Sequence, residues 1–185
     1  MTQERTPERE QSIVDDESAT TPWNVARERL ANPERQRASW LATVRPDGRP
    51  HLMPIIAFWV DGGLLFVAGE ETRKGRNLAA NARCVIGTGS TTLPSLDVIV
   101  EGRAEPLTDA DAVRRAAEHL RSKEWPLEAR GPEVYGPHAP TAGPPPYRIY
   151  RLVPSRAFGL PGMHGMDQVD PGELPKPTRW EFAGD

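Results

Sequence analysis

With 185 residues and 20.4 kDa, the chain has the size of one ordinary domain with short tails, long enough to bury a core without disulfides or structural metals. Hydrophobic residues make up 37%, charged residues 26%, and the formal net charge is -3; this balance offers no overall attraction to phosphate backbones, so nucleic acid is not an expected partner, while a local basic patch remains able to hold one phosphorylated small molecule. The longest apolar stretch, Leu52 to Val60, is broken by a proline and far shorter than the roughly 20 residues that cross a bilayer, and the single cysteine, Cys84, excludes an internal disulfide and a four-thiolate metal site.

The first 20 residues lack an apolar h-region and carry six acidic against two basic side chains up to Glu17, a pattern of neither a secretory signal nor a basic transit peptide. A cytoplasmic chain is expected, with a disordered tail over 1–20 and one folded domain over 21–185. Thr21 as N-cap, Pro22 at the first helical position, and Trp23, Ala26 and Leu30 on one face predict a short amphipathic helix running towards Arg37, limited by Pro33. Trp40 to Val44, the turn Arg45-Pro46-Asp47-Gly48, Pro50 to Val60, the turn Asp61-Gly62-Gly63 and Leu64 to Ala68 read as an antiparallel meander. Thr72 to Asn81 reads as a short helix burying Leu78 and Ala79. Arg83 to Gly89 and Leu96 to Ala104 read as two further strands.

Thr108 to Asp111 has the spacing of a capping box and opens a helix through about Ser122. Twelve of the 20 prolines lie between Pro126 and Pro177, so extended loops are expected at 126–146 and 159–177, with strands only at Tyr147 to Val153 and Thr178 to Phe182. Short strands at hairpin spacing, without alternating crossover helices, predict a mainly β, α+β fold: a small antiparallel barrel with flanking helices.

The clearest chemical signal is Thr72-Arg73-Lys74-Gly75-Arg76-Asn77, which follows a strand and opens a helix. Backbone N–H groups at a helix start, a hydroxyl and three cations favour a phosphate there; the competing reading is a solvated helix face behind a threonine cap. The chain has 20 arginines and three lysines, which singles out Lys74 within the arginine cluster. His51, His119, His138 and His164 are widely separated, and neither they nor Cys84 have partners at metal-ligand spacing, so no metal is expected. His51 sits on the second strand, either as a ligand contact or as a satisfied barrel histidine. His119 is placed on the surface of its helix and His164 in a loop. Trp40 and Trp59 are placed in the core. Arg179 beside Trp180 near the terminus suits a planar charged ligand, or simply a strand that closes the barrel. No serine or cysteine nucleophile motif is present.

These residues converge on a family. Trp40 to His51, Asp61 to Phe66, Thr72-Arg73-Lys74-x-Arg76-Asn77-Leu78-x-x-Asn81-x-Arg83 and Val98-x-Val100-Glu101-Gly102-x-Ala104 closely resemble the split β-barrel flavin and deazaflavin oxidoreductases. This is the superfamily of pyridoxamine 5'-phosphate oxidase, and the stronger resemblance is to its actinobacterial branch that uses the 8-hydroxy-5-deazaflavin coenzyme F-420. Thr178-Arg179-Trp180-Glu181-Phe182 looks like that branch's terminal motif. The resemblance implies a homodimer with two cofactors in clefts between subunits. It implies a phosphate held by Thr72, Arg73 and Lys74 with Asn77 nearby, and a planar ring along Met53, Pro54, Ile55 and Val67, Ala68, Gly69, with Arg179 and Trp180 reaching the same site. The implied activity is hydride transfer between the reduced deazaflavin and a small organic substrate, with His51 the candidate proton donor and Arg45, Arg49 and Arg76 candidates for the coenzyme's anionic tail. FMN in place of F-420, or a non-enzymatic haem- or cofactor-binding barrel, are the alternatives. The terminal pattern of true pyridoxamine 5'-phosphate oxidases is missing, so vitamin B6 oxidation is not expected.

Overall fold

The computed structural model describes residues 4–32, 39–137 and 141–183; His138 and the expected end of the first helix, 33–37, lie outside them. In chain order the elements are β1 (Arg9–Ser12), α1 (Trp23–Ala31), β2 (Ser39–Val44), β3 (Pro50–Ile55), β4 (Ala57–Val60), β5 (Gly63–Ala68), α2 (Arg73–Ala80), β6 (Arg83–Thr88), β7 (Leu96–Pro106), α3 (Ala110–Ser122), β8 (Glu128–Arg130), β9 (Glu133–Tyr135), β10 (Arg148–Pro161), a 3-10 turn at Met166–Gln168 and β11 (Thr178–Glu181).

All pairings are antiparallel, and the main sheet runs β1-β11-β10-β7-β6-β2-β3, with β5 joined to both β10 and β4. The expected single strand Pro50 to Val60 is broken at Ile56. Before the break β3 pairs with β2, Thr43 facing His51; after it β4 pairs with β5, Ala57 facing Phe66. That break lets one stretch of chain leave one sheet edge and join the other, so β2, β3/β4, β5, β10, β7 and β6 roll around one core. This is the split barrel that the sequence predicts, with a second wall formed by β11 and β1 on the far half of β10.

Strand alternation sorts the side chains. Leu41, Ile55, Ala57, Phe66, Ile86, Val98, Val100 and Leu152 point inward and pack as one cluster. On β5 the outward residues Leu65 and Val67 are buried as well, because α3 and the β8–β9 hairpin lie over them with Val113, Ala117, Leu120, Leu127 and Tyr147. This is why GLLFVA reads as an unbroken apolar run.

Several expectations are corrected. Residues 1–20 are not a loose tail throughout: β1 pairs with β11, and Glu10 accepts from Trp23 N at 3.2 Å and from Trp180 Nε1 at 3.0 Å. The first helix has Pro22 at its N-cap without a side-chain cap; Thr21 instead donates to the Lys176 carbonyl. Asp109, not Thr108, caps α3 by accepting from Ala112 N at 2.8 Å. Ala79 is exposed, and so is Trp40, at 48%. The proline-rich stretch holds β8 and β9, and β10 runs on through Pro161 into the expected 159–177 loop. Pro154 fits within β10 because the strand bulges between Pro154 and Arg156, where the ladder is already interrupted, and Pro161 stands at the strand's end.

Candidate functional site

The first turn of α2 is built by its own sequence. Thr72 caps the helix, its hydroxyl accepting from Gly75 N at 3.2 Å and donating to the Gly69 carbonyl at 2.6 Å. A Cβ at position 75 would stand 2.7 Å from the Glu70 carbonyl, so glycine lets the helix start fold tightly back on the strand end. The cap reading therefore accounts for Thr72, and its hydroxyl has both roles filled.

Lys74 is turned inward. It is 2% exposed, and its ammonium donates to the Thr141 carbonyl. Burial holds it down to about 8 from the ordinary 10.5, with no carboxylate among the described residues offsetting the cost. Arg73 is exposed at the start of the same helix. Arg45, in the β2–β3 turn, has an enclosed Nε that meets no hydrogen-bond partner among the described residues. Burial first, and then the charges of Arg45, Lys74 and Arg73, push His51 below the ordinary histidine value, so its ring is neutral at pH 7. Arg45, Lys74 and Arg73 each act electrostatically on His51, so three cations from the β2–β3 turn and the start of α2 form a cationic corner around that ring.

Asn77 is fully buried on α2, which packs on β2. Its Nδ2 donates to Thr43 Oγ1 at 2.9 Å, and Thr43 Oγ1 lies 3.4 Å from His51 Nδ1. Asn77 Oδ1 has no partner among the described residues. Thr43 went unnoticed in the sequence, although the β2–β3 register puts it opposite His51 on the inward face.

The remaining predicted residues divide. Met53 and Ile55 share the inward face with His51, and Pro54 faces the other way, paired with exposed Trp40. Val67 lies beneath the α3 layer and Ala68 in the barrel core; the Gly69 amide donates to the Ala142 carbonyl at 3.1 Å. Trp180 is corrected: it is 0% exposed and packs edge-on against Trp23 at 5.3 Å, so its ring is used up within the chain and offers no face to a ligand. Arg179 donates to Gln11 at 2.6 Å and pairs with Glu181. Arg49 is held by Asp47 at 2.7 Å and Arg76 by the Glu71 carbonyl at 2.7 Å. Of the three arginines proposed for an anionic tail, Arg45 is the one without such a partner. His119 is half-buried against Phe58 rather than on the surface, and His164 is exposed.

A groove of about 580 Å³ crosses the sheet from Val44 and Pro50 to Arg156 and Glu181. It takes in Thr43 but no residue of α2. Next to it the outward face of β2 and β3 carries Trp40, Val44 and Leu52, exposed by 48%, 38% and 56%.

The chain matches the family profile described as pyridoxamine 5'-phosphate oxidase over residues 26–159. Among curated proteins it is 36% identical over 91 residues to a pyridoxine/pyridoxamine 5'-phosphate oxidase of Anaeromyxobacter dehalogenans, covering 48% of this chain and 44% of that protein. It is 34% identical over 137 residues to the protein of the same name from Cupriavidus necator, covering 64% of this chain and 63% of that one. The chain thus spans between two fifths and two thirds of the length of these relatives. Among solved structures, a FAD-binding protein from Mesorhizobium loti superposes with a TM-score of 0.52 at 19% identity, over 82% of this chain and 95% of that one; this likeness concerns the fold.

Proposed function

Because the chain belongs to the pyridoxamine 5'-phosphate oxidase family, we propose that it is an oxidoreductase that binds the deazaflavin coenzyme F-420 at the corner formed by Arg45, Arg73 and Lys74. Its second substrate is a small organic acceptor such as an activated double bond or a quinone.

The observation that carries this reading is the state of Lys74. A buried ammonium that has one carbonyl partner and no carboxylate among the described residues has lost its hydration without gaining a counter-charge. A bound phosphate would supply that charge. Arg73 adds a second cation at the same helix start. Arg45 adds a third, on the side of His51, suited to the further carboxylates of the deazaflavin tail. When bound, the deazaflavin supplies two-electron hydride chemistry. The chain holds its phosphate, keeps a neutral imidazole at the barrel mouth and offers Met53 as an apolar wall. Exclusion of water would be completed by a second copy of this chain over Trp40, Val44 and Leu52, a homodimer with the groove at its seam.

FMN is the second reading, since Lys74 and Arg73 alone satisfy a single phosphate and the Mesorhizobium loti neighbour is a FAD-binding protein. The test is titration of the purified chain with F-420 and, separately, with FMN, followed by tryptophan fluorescence. Saturable binding with F-420 tighter than FMN is expected. Tighter FMN binding would move the protein to the flavin reading, and binding of neither would overturn the anion corner.

A further inference from the structure

Three groups from three elements stand in line at the barrel mouth: Asn77 on α2, Thr43 on β2 and His51 on β3. The hydrogen-bond inventory favours one direction along the chain, because it gives the threonine proton an acceptor. An amide nitrogen only donates, so Asn77 Nδ2 gives a proton to Thr43 Oγ1, at 2.9 Å. The threonine hydroxyl then has its own proton to place. His51 Nδ1, at 3.4 Å, is its one acceptor among the described residues. Reversing the Asn77 amide would leave both of its N–H groups buried without an acceptor among the described residues, whereas the present orientation leaves one N–H and Oδ1 unpaired, and an orphaned donor is the rarer state of a buried group. An imidazole that accepts at Nδ1 carries its proton on Nε2. That nitrogen has no partner among the described residues, and the ring is only half-buried.

We propose that Thr43 and Asn77 are positioning residues that hold His51 as its Nε2–H tautomer, so that His51 presents a neutral hydrogen-bond donor to an oxygen or nitrogen acceptor of the ligand seated beside Arg45, Arg73 and Lys74. The second half rests on the coenzyme reading above; the first half does not. The charged groups facing His51 are Arg45 from the β2–β3 turn and Lys74 and Arg73 from α2, all cationic, and all disfavour a second proton on the ring. A neutral donor here recognises a carbonyl or ring nitrogen without competing with the cations for the phosphate. This also gives fully buried Asn77 a task other than direct contact with the ligand.

The test is an NMR titration of the ligand-free full chain labelled with 15N-histidine, with the His51 signals assigned through His51→Gln. The wild type is expected to show the Nε2–H pattern. Thr43→Val, which keeps shape but removes the donor to Nδ1, is expected to raise the His51 pKa by about half a unit to one unit, the worth of one hydrogen bond to the neutral form. Thr43→Ser restores the wild-type value, and Asn77→Leu shifts it in the same direction as Thr43→Val. Unmoved signals from His119 and His164 show that the variants keep the fold. An Nδ1–H tautomer, or a His51 pKa that falls or stays still in Thr43→Val, overturns the positioning role. In a second arm, F-420 and FMN are added separately to the wild type, and movement of the His51 Nε2 signal is expected with the one that binds. A bound coenzyme that leaves this signal in place overturns the ligand-facing role. Failure of both coenzymes to bind counts against the coenzyme reading alone, because the ligand-free tautomer has already been measured.

Discussion

Lys74 couples stability and binding in opposite directions with pH. Its folded value of about 8 lies below the ordinary 10.5, so between those values the unfolded chain holds a proton that the folded chain has released. Stability from this group therefore rises as pH climbs from about 8 towards 10.5. Affinity for an anion falls over the same interval as the charge is lost. Lys74→Met should weaken coenzyme binding at least about tenfold, the worth of one charge-assisted hydrogen bond. It should leave the ligand-free protein as stable or more so, by roughly 1–3 kcal/mol, because a buried charge is exchanged for an apolar chain. Parallel coenzyme titration and urea unfolding check both halves, and wild-type affinity in the variant would remove Lys74 from the site. The sequence pointed to Lys74 through its place in Thr72–Asn77, but whether its ammonium was spent or waiting depended on Thr141, 67 residues away. Thr43 lies inside the family-like stretch Trp40 to His51, but nothing local singled it out from its neighbours.

Among the elements, the strands carrying strict alternation or tight turns were legible from local pattern, and α3 was too, with its capped start and its buried stripe of Val113, Ala116, Ala117 and Leu120. β1 was not. Arg9 to Ser12 is polar and has no periodicity of its own; it is a strand because β11 offers it an open edge and because Glu10 satisfies indole and backbone donors in the tryptophan cluster. Glu10→Ala should therefore cost about 1–3 kcal/mol, since it leaves Trp180 Nε1 fully buried without an acceptor. Glu10→Gln, which keeps an acceptor, should recover most of that. Chemical denaturation of the two variants separates a structural strap from a disordered tail, for which neither change would matter.

For the whole molecule, a sheet face with Trp40, Val44 and Leu52 half exposed is a large apolar area for a monomer to present to water. Under the homodimer reading, Leu52→Glu should convert the protein to a monomer in light scattering and weaken coenzyme binding along with it. A wild-type chain that is already monomeric at micromolar concentration would rule that assembly out. The exposure of Trp40 also shows why a strand tryptophan taken for core turned out otherwise: alternation put it on the outward face with Pro54, and no described residue covers that face fully.

The sequence by itself determined the elements whose pattern is local: the strands of the meander with their turns, the presence of the three helices, the cationic start of α2 and, through motif likeness, the family and the split barrel. Only the tertiary structure decided what depends on residues far apart along the chain. It broke Pro50 to Val60 at Ile56 so that the chain could pass from one sheet edge to the other, buried Trp180 against Trp23, set Lys74 against Thr141, and aligned Asn77, Thr43 and His51. Local pattern registers the conformation a segment prefers, whereas burial, hydrogen-bond partners and the resulting shifts in charge state are properties of the contacts that folding creates.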